Sequence, residues 1–371
     1  MKLLKTPLNN FSQENKFFKY LKILFISIII SFNLTDIIIN IRNLNKQYFE
    51  NMLLNIKNDL YVLKLKMKSF TNTSEEFNEI INEKYLKKQN YFCENQNKYY
   101  NYEFEKKIKL EKVNFNNNIF KMFIYKKNDI VSNYLSATKV WEKYETDNII
   151  NALSFFSRKK NLAEKDIYII DVGGNVGWYT FILGKYGYRI ITFEPSQINY
   201  YILSKNYCLN KELNITLINK GLFPEEKKCY IYSPKNNVGN GFVSCKKLSD
   251  ENIVNNGIIS LTKLSNYISF FMNKNLALIK MDIEGSEGKA FESGIELLTE
   301  YHVPFIIMEF SPKGLRSYGI DPKQFLEIFI NNGYKINLLN FFETKVYDIE
   351  FFLKEIKEIG TIYIVYIKIL Q

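Results

Sequence analysis

Histidine is nearly absent from this chain: 371 residues contain one, His302. It sits in Tyr301-His302-Val303 just ahead of a strand, at the end of a sheet away from where ligands bind. It therefore reads as structural, and a Ser-His nucleophilic arrangement is not available. Cysteine is also sparse, with Cys93, Cys208, Cys229 and Cys245 widely spaced and no C-x-x-C pair. With one histidine beside them, they argue against a zinc site. A disulfide scaffold is not expected at this size. One bridge, for example Cys229 to Cys245, stays open as an alternative, and the cysteines leave the redox compartment open. Arginine supplies only Arg42, Arg158, Arg189 and Arg316 among the 50 basic residues, so planar forks for phosphate or guanine are few. The seven prolines are never adjacent. Lys, Asn and Ile are so abundant that single Lys or Asn residues carry little information.

What is present is a chain able to fold: 46% hydrophobic and 16% aromatic residues exclude wholesale disorder. The length suits about two domains, or one large α/β domain with an added segment. The net charge of +11 is unevenly placed. Residues 1–165 carry 28 Lys/Arg against 17 Asp/Glu, whereas 166–371 carry 22 of each, so the entire excess lies in the first part.

No run of apolar residues is long and clean. Ile23 to Phe32 is interrupted only by serines, and extension to Ile41 takes in Asn33, Thr35, Asp36 and Asn40. Asp36 would cost about 2.5–3.5 kcal/mol at a bilayer centre and much less near the interface. Lys2, Lys5, Lys16, Lys19 and Lys22 precede the run with only Glu14 as an acid. Residues 1–41 thus read as a basic leader and membrane anchor, with membrane association through 20–41 and a cytosolic N-terminus. A cleaved signal peptide and an ordinary buried helix are the alternatives, the last leaving the protein cytoplasmic. From Arg42 to about Asn90, apolar residues recur every three or four positions without Pro or Gly, as in a long amphipathic helix, either a stem or a helix packed on the next domain. A polar Tyr- and Asn-rich linker with one strand near Ile108 to Phe115 completes the segment 42–118.

The domain 119–371 has a different pattern. Short β-branched runs at Asp166–Val172, Arg189–Phe193, Ile215–Lys220, Ala277–Ile283, Pro304–Phe310, Tyr334–Leu339 and Thr361–Ile367 alternate with helical stretches, at least between the first five. The predicted fold is α/β: a seven-stranded, mainly parallel sheet with helices on both faces, preceded by the hydrophobic helix and helical stem. Leu222–Asn256 shows no readable pattern.

The chemistry concentrates at three strand ends. The first strand runs into Asp171-Val-Gly-Gly-Asn-Val-Gly-Trp-Tyr-Thr180, and a helix follows. Glycines at such a turn let backbone approach a ligand, and the helix start presents free amides. A dinucleotide fingerprint is missing, however, because Asn175 and Trp178 stand where glycines belong. An acid opening the turn disfavours a pyrophosphate and suits a ligand with an amino group and a sulfonium. Glu194 in Thr-Phe-Glu-Pro195, 23 residues after Asp171, has the spacing of a carboxylate that takes ribose hydroxyls. Together they point to S-adenosylmethionine rather than NAD. The third element, Lys280-Met-Asp-Ile-Glu-Gly-Ser-Glu287, puts Asp282 and Glu284 at the same crevice, with Glu309 from the next strand beside them. Glu287 either joins them or caps its own helix.

These residues resemble the FkbM-type methyltransferases, a class I S-adenosylmethionine-dependent family with a Rossmann-like fold. The matching pieces are Asp171–Thr180, Phe193-Glu-Pro195, Lys220-Gly221, Lys280–Glu287 and Ile307–Ser311, with a weaker lead-in at Asp129–Ser132 and Trp141-Glu142. The resemblance implies methyl transfer, usually to a hydroxyl oxygen. It implies that Asp171, Gly173, Gly174, Asn175, Gly177 and Trp178 hold the methionine part of the cofactor, with Tyr179 and Thr180 also in the cofactor site. Glu194 and Pro195 would lie at the ribose, Lys220 and Gly221 by the adenine, and Asp282 near the methyl group. Ser311 departs from the pattern, since many relatives have a histidine there. The general base is then Asp282 or Glu284, or a Mg-type ion between Asp282 and Glu309 acidifies the hydroxyl. The acceptor is expected to be a hydroxyl of a glycan, glycolipid or small metabolite, in a secretory lumen (endoplasmic reticulum or Golgi) if the anchor holds. Sequons at Asn72-Thr-Ser74 and Asn214-Ile-Thr216 suit that side. A nucleic-acid methyltransferase is the enzymatic alternative, but nucleic acid is not an expected partner: the D/N-P-P-aromatic turn of base methyltransferases is missing and the crevice is acidic. A membrane-tethered scaffold with a degenerate methyltransferase fold is the non-enzymatic alternative.

Overall fold

The computed structural model describes residues 85–271 and 274–371, all within one compact unit. The apolar run at 20–41 and nearly all of the amphipathic pattern lie outside the described residues. Among the described residues, no helix is long and apolar enough to cross a membrane.

Besides one-turn helices, chain order is α1 (Lys87–Glu94), β1 (Ile108–Phe115), β2 (Asn118–Tyr125), α2 (Ile130–Thr138), α3 (Lys143–Lys160), β3 (Ile167–Val172), α4 (Trp178–Lys185), β4 (Arg189–Phe193), α5 (Gln197–Leu209) and β5 (Ile215–Ile218). There follow β6 (Gly221–Leu222), β7 (Lys228–Pro234), β8 (Phe242–Ser244), β9 (Ile253–Thr262), β10 (Asn275–Met281), α6 (Glu287–Glu292) and β11 (Phe305–Phe310). The chain ends with α7 (Pro312–Ser317), α8 (Pro322–Asn331), β12 (Tyr334–Asn337), α9 (Ile349–Glu355), β13 (Gly360–Tyr366) and one further helical turn.

All seven strands expected from the β-branched runs lie in one sheet, in the order β12-β13-β11-β10-β3-β4-β5. It is mixed: β13 runs antiparallel to both neighbours, β11 and β12, while the pairs among β11, β10, β3, β4 and β5 are parallel. Successive side chains of a strand point to opposite faces. Accordingly Ile169, Ile190, Leu278, Ile307 and Tyr363 enter one apolar cluster, and their successors Ile170, Ile191, Ile279, Met308 and Ile364 enter another. The first cluster is completed by α3, α4, α5 and the β1–β2 hairpin, the second by α6, α8 and α9. Each fully buried Ile, Phe or Met contributes about 1.5–3 kcal/mol, so burial on both faces holds the central strands. Helix α4 fits between sheet and hairpin because it is apolar all round, with Trp178 through Gly184 all buried.

Three expectations change. Between β5 and β10, where a covering helix was expected, the chain builds a four-stranded sheet, β6-β9-β7-β8, with a small core of Cys229, Ile231, Ile259 and Leu261. The boundary at 118/119 falls in the turn of the β1–β2 hairpin, where Phe115 pairs with Asn118. The polar stretch before it is thus part of the folded unit. Two disulfides replace the single one considered: Cys93–Cys208 ties α1 to α5, and Cys229–Cys245 ties β7 to the segment after β8. Among the described residues no cysteine is free.

Candidate active site

The turn after β3 is built from close contacts. Gly173 has φ +83°, and a Cβ there would sit 1.9 Å from the Asp282 carbonyl oxygen, so only glycine lets the ends of β3 and β10 meet. The amides of Gly173 and Gly174 donate to the Phe193 carbonyl at 2.9 and 3.2 Å, drawing the turn against the end of β4. The next amide, of Asn175, donates to Glu194 Oε2 at 2.8 Å, and the Ser196 amide donates to Oε1 at 2.8 Å. Burial nevertheless pushes the Glu194 acid up to about 7, because those bonds only partly replace water.

Above these ends lies a cleft of about 240 Å³, roofed by the β7–β8 loop. Of the residues singled out from sequence, Gly173, Asn175, Glu194, Pro195, Lys220, Gly221, Asp282, Glu284 and Glu309 line it. Asp171, Gly174, Gly177, Trp178 and Thr180 do not. Asp171 is sealed beneath the turn, where it accepts from Thr180 Oγ1 at 2.6 Å and lies in register with Lys280 of β10. Burial raises its acid although Lys280 works the other way. Trp178 belongs to the core: its indole N–H donates to Thr146 Oγ1 at 3.1 Å and its ring meets Phe115 edge-on. Thr180 spends its hydroxyl on Asp171 and Thr192. Tyr179 faces an adjoining cleft of about 150 Å³, donating to Glu142 at 2.6 Å. The two clefts share Glu142, Asp282 and Glu309.

Asp282, Glu284 and Glu309 do converge, each offering an oxygen within 4.8 Å of the others, a set that could hold a metal ion. Lys280 Nζ reaches Asp282 Oδ2 at 3.3 Å and lies over the Tyr179 ring. Burial opposes its charge, but Asp282, Asp171 and Glu142 outweigh that and hold the ammonium above the usual lysine range. Glu284, strained at φ +57°, is pushed up to about 7 by burial and by Asp282. Glu309 rises to about 9 through burial and through Asp282, Glu284 and Glu287, so at neutral pH it is an acid holding its proton. Glu287 folds back onto its own helix start, accepting from the Ile283 and Gly285 amides. Ser311, in place of a histidine, caps α7 by accepting from the Gly314 amide at 3.0 Å. His302 stacks on Tyr366 with ring centroids 4.5 Å apart, as expected of a structural residue.

The roof brings in residues that sequence reading passed over, chiefly Asn240, Ile231 and Val243, together with Asn199 from α5. Gly239-Asn-Gly241 is a turn signature. It marks a loop there but not what the loop covers.

A mixed α/β sheet whose chain order reverses between β3 and β10, with its cleft beyond the strand ends, has a doubly wound, Rossmann-like architecture. Residues 171–336 match the Methyltransferase FkbM domain, and over that stretch the chain is similar to this family. No curated protein sequence matches it. Among solved structures, the bifunctional kinase-methyltransferase WbdD is similar at 12% identity over 63% of this chain and 41% of WbdD, with a TM-score of 0.37. Magnesium protoporphyrin IX methyltransferase (ChlM) from Synechocystis PCC 6803 with bound SAM is similar at 14% identity over 64% of this chain and 83% of ChlM, with a TM-score of 0.32. The chain thus spans about two fifths of the length of WbdD.

Proposed function

We propose that this domain transfers a methyl group from S-adenosylmethionine to a hydroxyl oxygen of a glycan, glycolipid or small metabolite. The observation that carries the reading is Glu194. Its carboxylate is fixed by the Asn175 and Ser196 amides at the floor of a cleft that also contains the Asp282 cluster. Buried acceptors without partners, Asn175 Oδ1 and Asn240 Oδ1, suit a ligand that brings its own donors.

Asn175 and Glu194 would hold the methionine and ribose parts, with Lys220 and Gly221 near the base. When bound, the cofactor supplies an electrophilic methyl group. The chain's part is then to align the acceptor and take its proton. Glu309, protonated at neutral pH, donates a hydrogen bond, and Asp282 or Glu284 accepts the hydroxyl proton. Glu284, near 7, has the better matched basicity. The adjoining cleft past Glu142, Asp282 and Glu309 offers the acceptor a route to the same carboxylates. The two cystines support a working place in an oxidising compartment. That agrees with an N-terminal anchor through residues 20–41 and a lumenal domain.

The test is incubation of the full chain with methyl-labelled S-adenosylmethionine and fractionated glycans, lipids and hydroxylated metabolites. Label is expected in one of these classes, and Asp282→Asn is expected to lower incorporation at least about a hundredfold with an unchanged melting temperature. Undiminished labelling by Asp282→Asn would remove Asp282 from the reaction.

A further inference from the structure

We propose that the Cys229–Cys245 cystine is a redox latch on the cleft: oxidised, it holds the β7–β8 roof in place, and reduced, it releases the roof and weakens ligand binding. The inference goes beyond the methyl-transfer reading and rests on it only for the choice of probe.

Six residues of the β7–β8 hairpin line the cleft: Ile231, Asn237, Gly239, Asn240, Gly241 and Val243. All six lie between the two cysteines, which are 16 positions apart and join the start of β7 to the residue after β8. The bridge therefore closes a loop that contains the whole roof. Little else shuts the hairpin at its base. Strand β8 is three residues long, all half-exposed, and it pairs only with β7 at the edge of the small sheet. The core of that sheet is four side chains, of which Cys229 is one. Elsewhere the hairpin leans on its neighbours through single hydrogen bonds: the Val238 amide donates to the Asn128 carbonyl, Asn199 Nδ2 to the Gly239 carbonyl and the Tyr318 hydroxyl to the Val243 carbonyl. Such bonds replace bonds to water at little net gain, whereas a bridge across a loop of this size restricts the open ensemble more strongly.

The closed roof is tightly fitted. A Cβ on Gly239 would come within 2.1 Å of Asp129 Oδ1, and one on Gly241 within 2.7 Å of Ile231 Cδ1. Contacts this close belong to one arrangement and are lost when the hairpin opens. An open roof leaves a bound ligand facing water on that side, so apparent affinity falls with the fraction of closed molecules.

The bridge is also reachable, because Cys245 is exposed although Cys229 is buried. A dithiol thiolate attacks Cys245 Sγ, the S–S bond breaks, and Cys229 leaves as a thiolate that takes up a proton. The second thiol of the reagent then displaces Cys245, which is protonated in turn, and the reagent closes its own disulfide. Two electrons pass to the protein, and oxidation returns them. The other cystine serves as a contrast: Cys93 and Cys208 are both half-buried, lie at the end of α5 away from Asn199, and line neither cleft. The domain thus has its closed cleft only where cystines persist.

The test is calorimetric titration of the full chain with S-adenosylhomocysteine in the oxidised state, after dithiothreitol, and after reoxidation. Affinity is expected to fall at least about tenfold on reduction and to return on reoxidation. Cys229→Ser with Cys245→Ser is expected to match the reduced protein while keeping a cooperative melting transition. Cys93→Ser with Cys208→Ser is expected to keep wild-type affinity despite its lower stability. Trypsin cleavage after Lys235, exposed in the roof, is expected to quicken in the first double variant and not in the second. Unchanged affinity in the first double variant, an equal loss in both, or loss of affinity together with the melting transition would overturn the latch. A wild type that does not bind S-adenosylhomocysteine would overturn the cofactor reading instead; the cleavage rates then decide the latch, and equal rates in the two double variants reject it.

Discussion

Glu194 gives the domain two opposite responses to pH. Its acid rises from an ordinary 4.5 to about 7 on folding, so the protonated form stabilises the unliganded fold. That contribution is complete below about 4.5 and is lost as pH rises through about 7. A ribose hydroxyl, in contrast, is best accepted by the ionised form. Affinity for S-adenosylhomocysteine is therefore expected to be full above about 7 and to fall by up to about tenfold per unit below it. In Glu194→Gln both slopes should flatten, as read by titrations and melts from pH 5.5 to 8.5; an unchanged slope in the variant would assign the titration to another group. Glu194 was legible in sequence because strand end and spacing locate it without any long-range contact. Asp171 was not, because its partner Lys280 is set by the register of two strands more than a hundred residues apart.

At the scale of elements, the seven strands of the large sheet were legible because both their faces are buried, which leaves continuous β-branched runs. The small sheet was not. In strand β9 the first six positions are half-exposed or exposed and include Asn255, Asn256 and Gly257, with only Ile259, Leu261 and Thr262 buried, and β8 is only three residues long. Such strands lack an apolar signature, and this sheet depends on a four-residue core and a cystine. The first connection was hidden for a related reason: α1 is polar, and it is fixed by Gln89 bonding to the open edge of β5, at the Ile215 carbonyl and the Leu217 amide, and by Cys93–Cys208 rather than by an apolar stripe. Removing that bridge by Cys93→Ser together with Cys208→Ser is expected to cost about 2–4 kcal/mol, since it closes a loop spanning 115 positions. The check is the fall in denaturant midpoint, and reduction of the wild type, which opens Cys229–Cys245 as well, should cost at least as much. If neither change moves the midpoint, α1 is held without the bridge.

Over the whole molecule, the charge of +11 and the catalytic machinery occupy different parts of the chain. The basic excess belongs to residues 1–165, whereas 166–371 is balanced and gathers its acids at one cleft. Glu194, Glu284 and Glu309 all hold their protons more tightly than usual there, each first of all through burial. A cleft of that kind disfavours a polyanion and suits a ligand carrying an ammonium and a sulfonium. The most direct test is calorimetric titration of the full chain with S-adenosylmethionine, with NAD as the comparison. One equivalent of S-adenosylmethionine is expected to bind with micromolar affinity, at least about tenfold more weakly in Glu194→Gln, while NAD gives no heat. Absence of S-adenosylmethionine binding at millimolar concentration, or equal binding of NAD, would contradict the account.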